Sequence, residues 1–103
     1  MPLTATVKLT KPNKSVGSFF ETNSDVFEMG KLLTSYEVSG KILKGPTQRI
    51  SEDGLIETIT ITFDSSESYD KFRLSDVNVK HREKRRIWCE ANNVSCDVST
   101  VVE

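Results

Sequence analysis

The sequence predicts a single α+β domain of element order βαββαβ, an antiparallel sheet with two helices on one face. Three observations carry that expectation. Residues 3–9 alternate apolar and polar side chains, as a half-buried strand does. A Ser51-Glu52-Asp53-Gly54 turn joins two strand-like segments as a hairpin. Two stretches of helical spacing, one opening near Ser24 and one closing at Asn92-Asn93, lie on either side of that hairpin. At 103 residues the chain holds one domain, residues 1–103, and one layer of core.

Each element follows from local chemistry. In the first strand Leu3, Ala5, Val7 and Leu9 share one face and Thr4, Thr6 and Lys8 the other; Pro12 then removes a ladder donor. Phe19 and Phe20 suggest an anchored loop before the first helix. That helix opens near Ser24, with Asp25 and Glu28 favourable to its N-terminal dipole. Val26, Met29, Leu33 and Tyr36 make its apolar face, and Gly30 weakens it by about 1 kcal/mol relative to alanine. Val38 to Ile50 reads as an irregular edge strand, broken by Gly40 and Gly45-Pro46. In the strand Leu55–Phe63, the residues Leu55, Ile59, Ile61 and Phe63 point one way, interrupted by Glu57; Ile56, Thr58, Thr60 and Thr62 point the other. Asp64 and Glu67 form a capping-box-like helix start, Ser75-Asp76 breaks or kinks that helix, and a further stretch runs from about Val77 to Asn92. Its stripe is His81, Lys84, Trp88 and Ala91, with Ile87 beside it. Val94 to Val102 alternates again as the closing strand.

Composition narrows the function. Fourteen cations against fifteen anions give a net charge of -1, which argues against coating nucleic acid by bulk charge. No apolar run of about 18 residues is present, so no membrane contact is expected. Met1 to Leu9 has no secretory apolar region, and Cys89 and Cys96 read as two free buried thiols in a reducing cytoplasm. With a single His81 and no Cys-x-x-Cys pair, no metal site is expected, and no motif calls for a cofactor.

The element order is that of the ferredoxin-like fold. Within that fold, the segment Ile59-Thr60-Ile61-Thr62-Phe63-Asp64-Ser65-Ser66-Glu67-Ser68-Tyr69 and the break Leu74-Ser75-Asp76-Val77 resemble the dimeric α+β barrel group, which includes cofactor-independent monooxygenase-like domains. The resemblance covers the C-terminal half and implies a homodimer whose sheets pack face to face. The group has no universal catalytic motif, so it assigns no catalytic residue here. The basic helix and the sparse aromatic content depart from the group's usual picture. Small size and hairpin style also resemble accessory proteins of large bacteriophages.

The strongest local feature is Lys80-His81-Arg82-Glu83-Lys84-Arg85-Arg86, five cations and one anion, set against residues 51–70, which hold six acids and no Lys or Arg. Helical spacing prevents all five cations from sharing one side. RNA recognition through the sheet is disfavoured, because the strand Leu55–Phe63 presents Ile and Thr rather than stacking aromatics. His81 reads as structural or surface, and Tyr36 and Tyr69 as core.

The leading expectation is a non-enzymatic assembly domain. It self-associates through the sheet face Ile56, Thr58, Thr60 and Thr62 and offers Lys80, Arg82, Lys84, Arg85 and Arg86 to an acidic protein or nucleic acid. Two alternatives stand beside it. One is a nucleic-acid accessory factor using the basic helix. The other is a cofactor-independent, monooxygenase-like enzyme with a cleft between sheet and helices. An apolar pocket with a Tyr or His at its mouth would support that enzyme; a filled core would sink it.

Overall fold

The computed structural model describes residues 1–20 and 23–103, and the side chains of all of these except 23–26. Its elements are β1 (Leu3–Thr10), α1 (Asn23–Val38), β2 (Ile42–Ile50), β3 (Ile56–Phe63), α2 (Ser66–Arg73), α3 (Asp76–Asn92) and β4 (Ser95–Val102). One four-stranded sheet of order β2-β3-β1-β4 is antiparallel throughout. The fold is therefore α+β, with three helices where the βαββαβ reading has two.

The extra helix follows from Ser75. Its hydroxyl donates to the Phe72 carbonyl at 2.7 Å and accepts from the Asn78 amide at 3.3 Å. One side chain thus closes α2 and opens α3, and the chain turns between them without orphaned ends. The cap of α2 is Ser65, accepting from the Ser68 amide at 3.2 Å, one residue later than the Asp64 start expected. Asn93 ends α3 in the left-handed conformation, φ 55°, as the Asn-Asn pair predicts. The other end-point correction is Val38, which closes α1 rather than opening a strand. The roles expected of Asp25 and Val26 lie outside the described side chains.

Register fixes the two sheet faces. Leu3 opposes Phe63, Ala5 opposes Ile61, Val7 opposes Ile59 and Leu9 opposes Glu57, so these eight side chains face the helices. The opposite face carries Thr4, Thr6, Lys8 and Thr10 against Thr62, Thr60, Thr58 and Ile56, with a hydroxyl contact of 3.0 Å between Thr4 and Thr62. The helix-side core divides in two. Leu3, Ala5, Ile42, Phe63 and Phe72 form one cluster, flanked by Met29, Leu32, Leu33 and Tyr36 of α1. Leu9, Phe19, Cys89 and Val94 form the other, with Val7, Val16 and Trp88. Phe19 is buried and the Phe20 ring lies 6.1 Å from that of Trp88, so the aromatic pair does anchor its loop.

β2 is an edge strand with register shifts around Gly45, as its punctuation predicts. Gly45 has φ +93°, and a Cβ there would stand 2.5 Å from the Thr60 carbonyl oxygen. Gly45→Ala should therefore destabilise the fold by about 1–3 kcal/mol. Gly30→Ala, at an open helical position, should stabilise it by about 0.5–1 kcal/mol. Urea midpoints for the two variants should move in opposite directions.

Candidate active site

Between the two clusters lies a cavity of about 520 Å³. Its floor is the middle of the sheet, where Ala5, Val7, Ile59, Ile61 and Val98 point toward the helices. Sequence explains the space: β1 carries its larger residues, Leu3 and Leu9, toward its ends, and the smaller Ala5 and Val7, at the inner margins of the two clusters, form part of the floor. Met29 and Leu33 of α1 line one wall, and Tyr69 and Phe72 of α2 and residues of α3 line the other. The volume suits a small organic molecule.

The α3 wall is polar. Asn78, His81, Arg82 and Arg85 recur at three- and four-residue spacing and all reach the cavity. Asn78 is buried and donates through Nδ2 to the Arg73 carbonyl at 3.2 Å; Arg82 donates to the same oxygen at 3.1 Å. These bonds lock the α2–α3 corner and place a cation at the C-terminal end of α2. His81 is half-buried, with its ring 5.4 Å from that of Phe20. At the β2 side, Gln48 lines the cavity and donates to Glu57, which is only 3% exposed. The carboxylate thereby gains a partner for its buried charge and orients the amide.

The five cations are distributed over different sides of α3, as helical spacing requires. Arg82 and Arg85 face the cavity. Lys80 and Lys84 are exposed. Arg86 is exposed and bound to Glu83 and, at 2.8 Å, to Glu90; the Arg86 hydrogen bond holds the Glu83 carboxyl below its ordinary range. The expected sheet face is where register puts it, with Ile56, Thr58, Thr60 and Thr62 half-buried on the side away from the helices. The expected stripe of α3 is rotated: Cys89 is buried, whereas Ile87, Ala91 and Lys84 are exposed. An apolar search of α3 passes over Asn78, Arg82 and Arg85 because the inward positions are polar. For Glu57 the signal is visible, as an acid at an inward position of the clearest strand.

No family model and no curated protein sequence matches the chain. Solved structures do share its fold. Rv0793 from Mycobacterium tuberculosis is similar at TM-score 0.61 and 12% identity, covering 100% of this chain and 95% of its own. SnoaB, a cofactor-independent oxygenase from Streptomyces nogalater, is similar at TM-score 0.61 and 7% identity, covering 99% and 92%. A Deinococcus radiodurans protein described as an antibiotic biosynthesis monooxygenase is similar at TM-score 0.52 and 11% identity, covering 98% and 91%. At these identities the likeness is one of fold, and it matches the α+β barrel resemblance of the sequence. The bacteriophage expectation finds no support among these matches. The leading expectation of a non-enzymatic assembly domain is corrected: oxygenases share the fold, and the core is open where a merely structural domain would fill it.

Among the described residues no group of three or more metal-binding side chains occurs, and no helix is long and apolar enough to cross a membrane. Both cysteines are free, but only Cys89 is buried; Cys96, on the edge strand β4, is exposed. Burial pushes the Cys89 thiol up. Iodoacetamide at mildly alkaline pH should therefore alkylate Cys96 well before Cys89, read by peptide mass mapping. Equal rates would contradict the burial of Cys89.

Proposed function

We propose that the protein is a small cofactor-independent oxygenase acting on an apolar organic substrate held between sheet and helices. The observation that carries this reading is the unfilled cavity of about 520 Å³, with Tyr69, Asn78 and His81 in an otherwise largely apolar lining. The fold shared with SnoaB supports it. In this reading His81 acts as general base, through the ring nitrogen that carries no proton in a neutral imidazole. It takes a proton from an activated substrate methylene, and the carbanion passes its electrons to dioxygen. The methylene and one dioxygen become a carbonyl and one water, so the substrate is oxidised and oxygen reduced. Asn78 and Tyr69 supply hydrogen bonds that orient the substrate, and the apolar floor excludes water.

Oxygen uptake over a panel of enolisable polycyclic ketones and phenols tests the proposal. At least one compound should consume oxygen faster with protein than without, and His81→Ala should lower kcat by about 10²–10⁴-fold. Uptake at the spontaneous rate across the panel would refute the reading.

The outer sheet face completes the proposal. Ile56, Thr58, Thr60 and Thr62 sit at its centre, and we place a second copy of the chain there, in a reducing cytoplasmic setting that the two free thiols support. Face-to-face sheets can bury about 1,600 Å² in total, a standard interface. Light scattering after size exclusion should give twice the chain mass, and Thr60→Arg should return it to one.

A further inference from the structure

The cavity is apolar on its floor and cationic on its helical wall, and its charge is one-sided. Arg73, Arg82 and Arg85 line it, together with His81, and among the described residues no Asp or Glu does. Arg73 has a neighbour in Asp70, at 3.7 Å. Among the described residues neither Arg82 nor Arg85 meets a carboxylate within salt-bridge distance. Arg82 gives its Nη2 to the Arg73 carbonyl, and its Nε is enclosed by protein atoms with no hydrogen-bond partner among the described residues. A cation held in such a wall without a counter-charge is costly, and an anionic ligand in the cavity relieves that cost.

We propose that the molecule taken by this cavity is an organic carboxylate: an apolar ring or chain lying on Ala5, Ile61 and Met29, with its anionic group at Arg82 and Arg85. The inference deepens the oxygenase reading and rests on the same cavity. Arginine suits the role because its planar fork stays charged in a dry site and matches a carboxylate in two parallel bonds. Placement beside an apolar floor strengthens that attraction relative to water. Selection then works by exclusion as well, since a neutral analogue of the same shape leaves the Arg82 and Arg85 guanidinium groups without a counter-charge.

Titration calorimetry with 2-naphthoate and its neutral isostere 2-naphthamide tests this on the intact protein. Naphthoate should bind at least tenfold more tightly than the amide. Arg85→Gln should abolish that difference while leaving amide affinity within about twofold. Arg82→Gln should do the same, but Arg82 also ties the α2–α3 corner, so Arg85→Gln is the deciding variant should Arg82→Gln unfold. Equal affinity for the two probes, binding of neither, or a preference that survives Arg85→Gln overturns the proposal. The oxygenase reading fails separately. A carboxylate preference without oxygen uptake leaves this inference standing and removes the reaction, whereas uptake with neutral substrates and no preference does the reverse.

Discussion

The structure depends on a core that is packed at both ends and empty in the middle. A sheet this size can bury one layer of side chains, and here the layer is split between the cluster around Phe63 and the cluster around Leu9. Phe63 is the best-buried large residue of the first, stacked against Tyr69 and Phe72 of α2 at 5.4 and 5.3 Å. Trp88 and Phe19 do the same work at the other end. α1 packs on the Phe63 cluster and α3 on the Leu9 cluster, so each helix is anchored at a different end of the sheet. Empty space in a protein forfeits contact energy, so a cavity of this volume persists only where the flanking clusters are strong enough to hold it open.

Most of the fold is legible in the sequence because it rests on local chemistry. The alternation of β1, the Asp-Gly hairpin and the Asn-Asn stop each name their own element, and register then follows from parity alone. In the turn, Asp53 accepts from the Ser51 hydroxyl at 2.6 Å and from the Leu55 amide at 3.0 Å, and the Ser51 bond holds its carboxyl below the ordinary range. The site is less legible, for one physical reason. Hydrophobic periodicity finds the face a helix buries against apolar neighbours, and α3 turns Asn78, His81, Arg82 and Arg85 inward instead. Its apolar Val79 and Ile87 are consequently left exposed. The inward face of α3 is thus read from the rotation of the helix and not from its hydrophobic periodicity.

The same geometry divides the basic run of α3 by purpose. Arg86 meets two glutamates one turn away, and such exposed pairs contribute little to stability but neutralise the helix exterior. Arg82 and Arg85, four and one positions earlier, line the cavity and meet no carboxylate among the described residues. A sequence that looks like a single cationic surface is thus a neutralised outer edge and a charged inner wall. Counting charges along the chain cannot separate the two; only the rotation of the helix does.

The edges of the sheet differ in the same deliberate way. β2 is blunted as an edge by Pro46, by its register shifts and by the exposed charges Lys44 and Arg49. β4 has a single charge, Asp97, and neither proline nor a register shift. Val98 is 53% exposed although it points toward the helices and lines the cavity, because no element lies beyond it. Val101 and Val102 are exposed on opposite faces of the same strand. An uncovered apolar edge beside an open cavity is costly in water. The two faces of β4 differ in their surroundings: Val101 lies on the outer face with Thr60 and Thr62, and Val98 on the helix side at the rim of the cavity. The molecule is a slab of 40 by 29 by 17 Å, and the cavity lies on the helix side of it, open beside the β4 edge of the sheet.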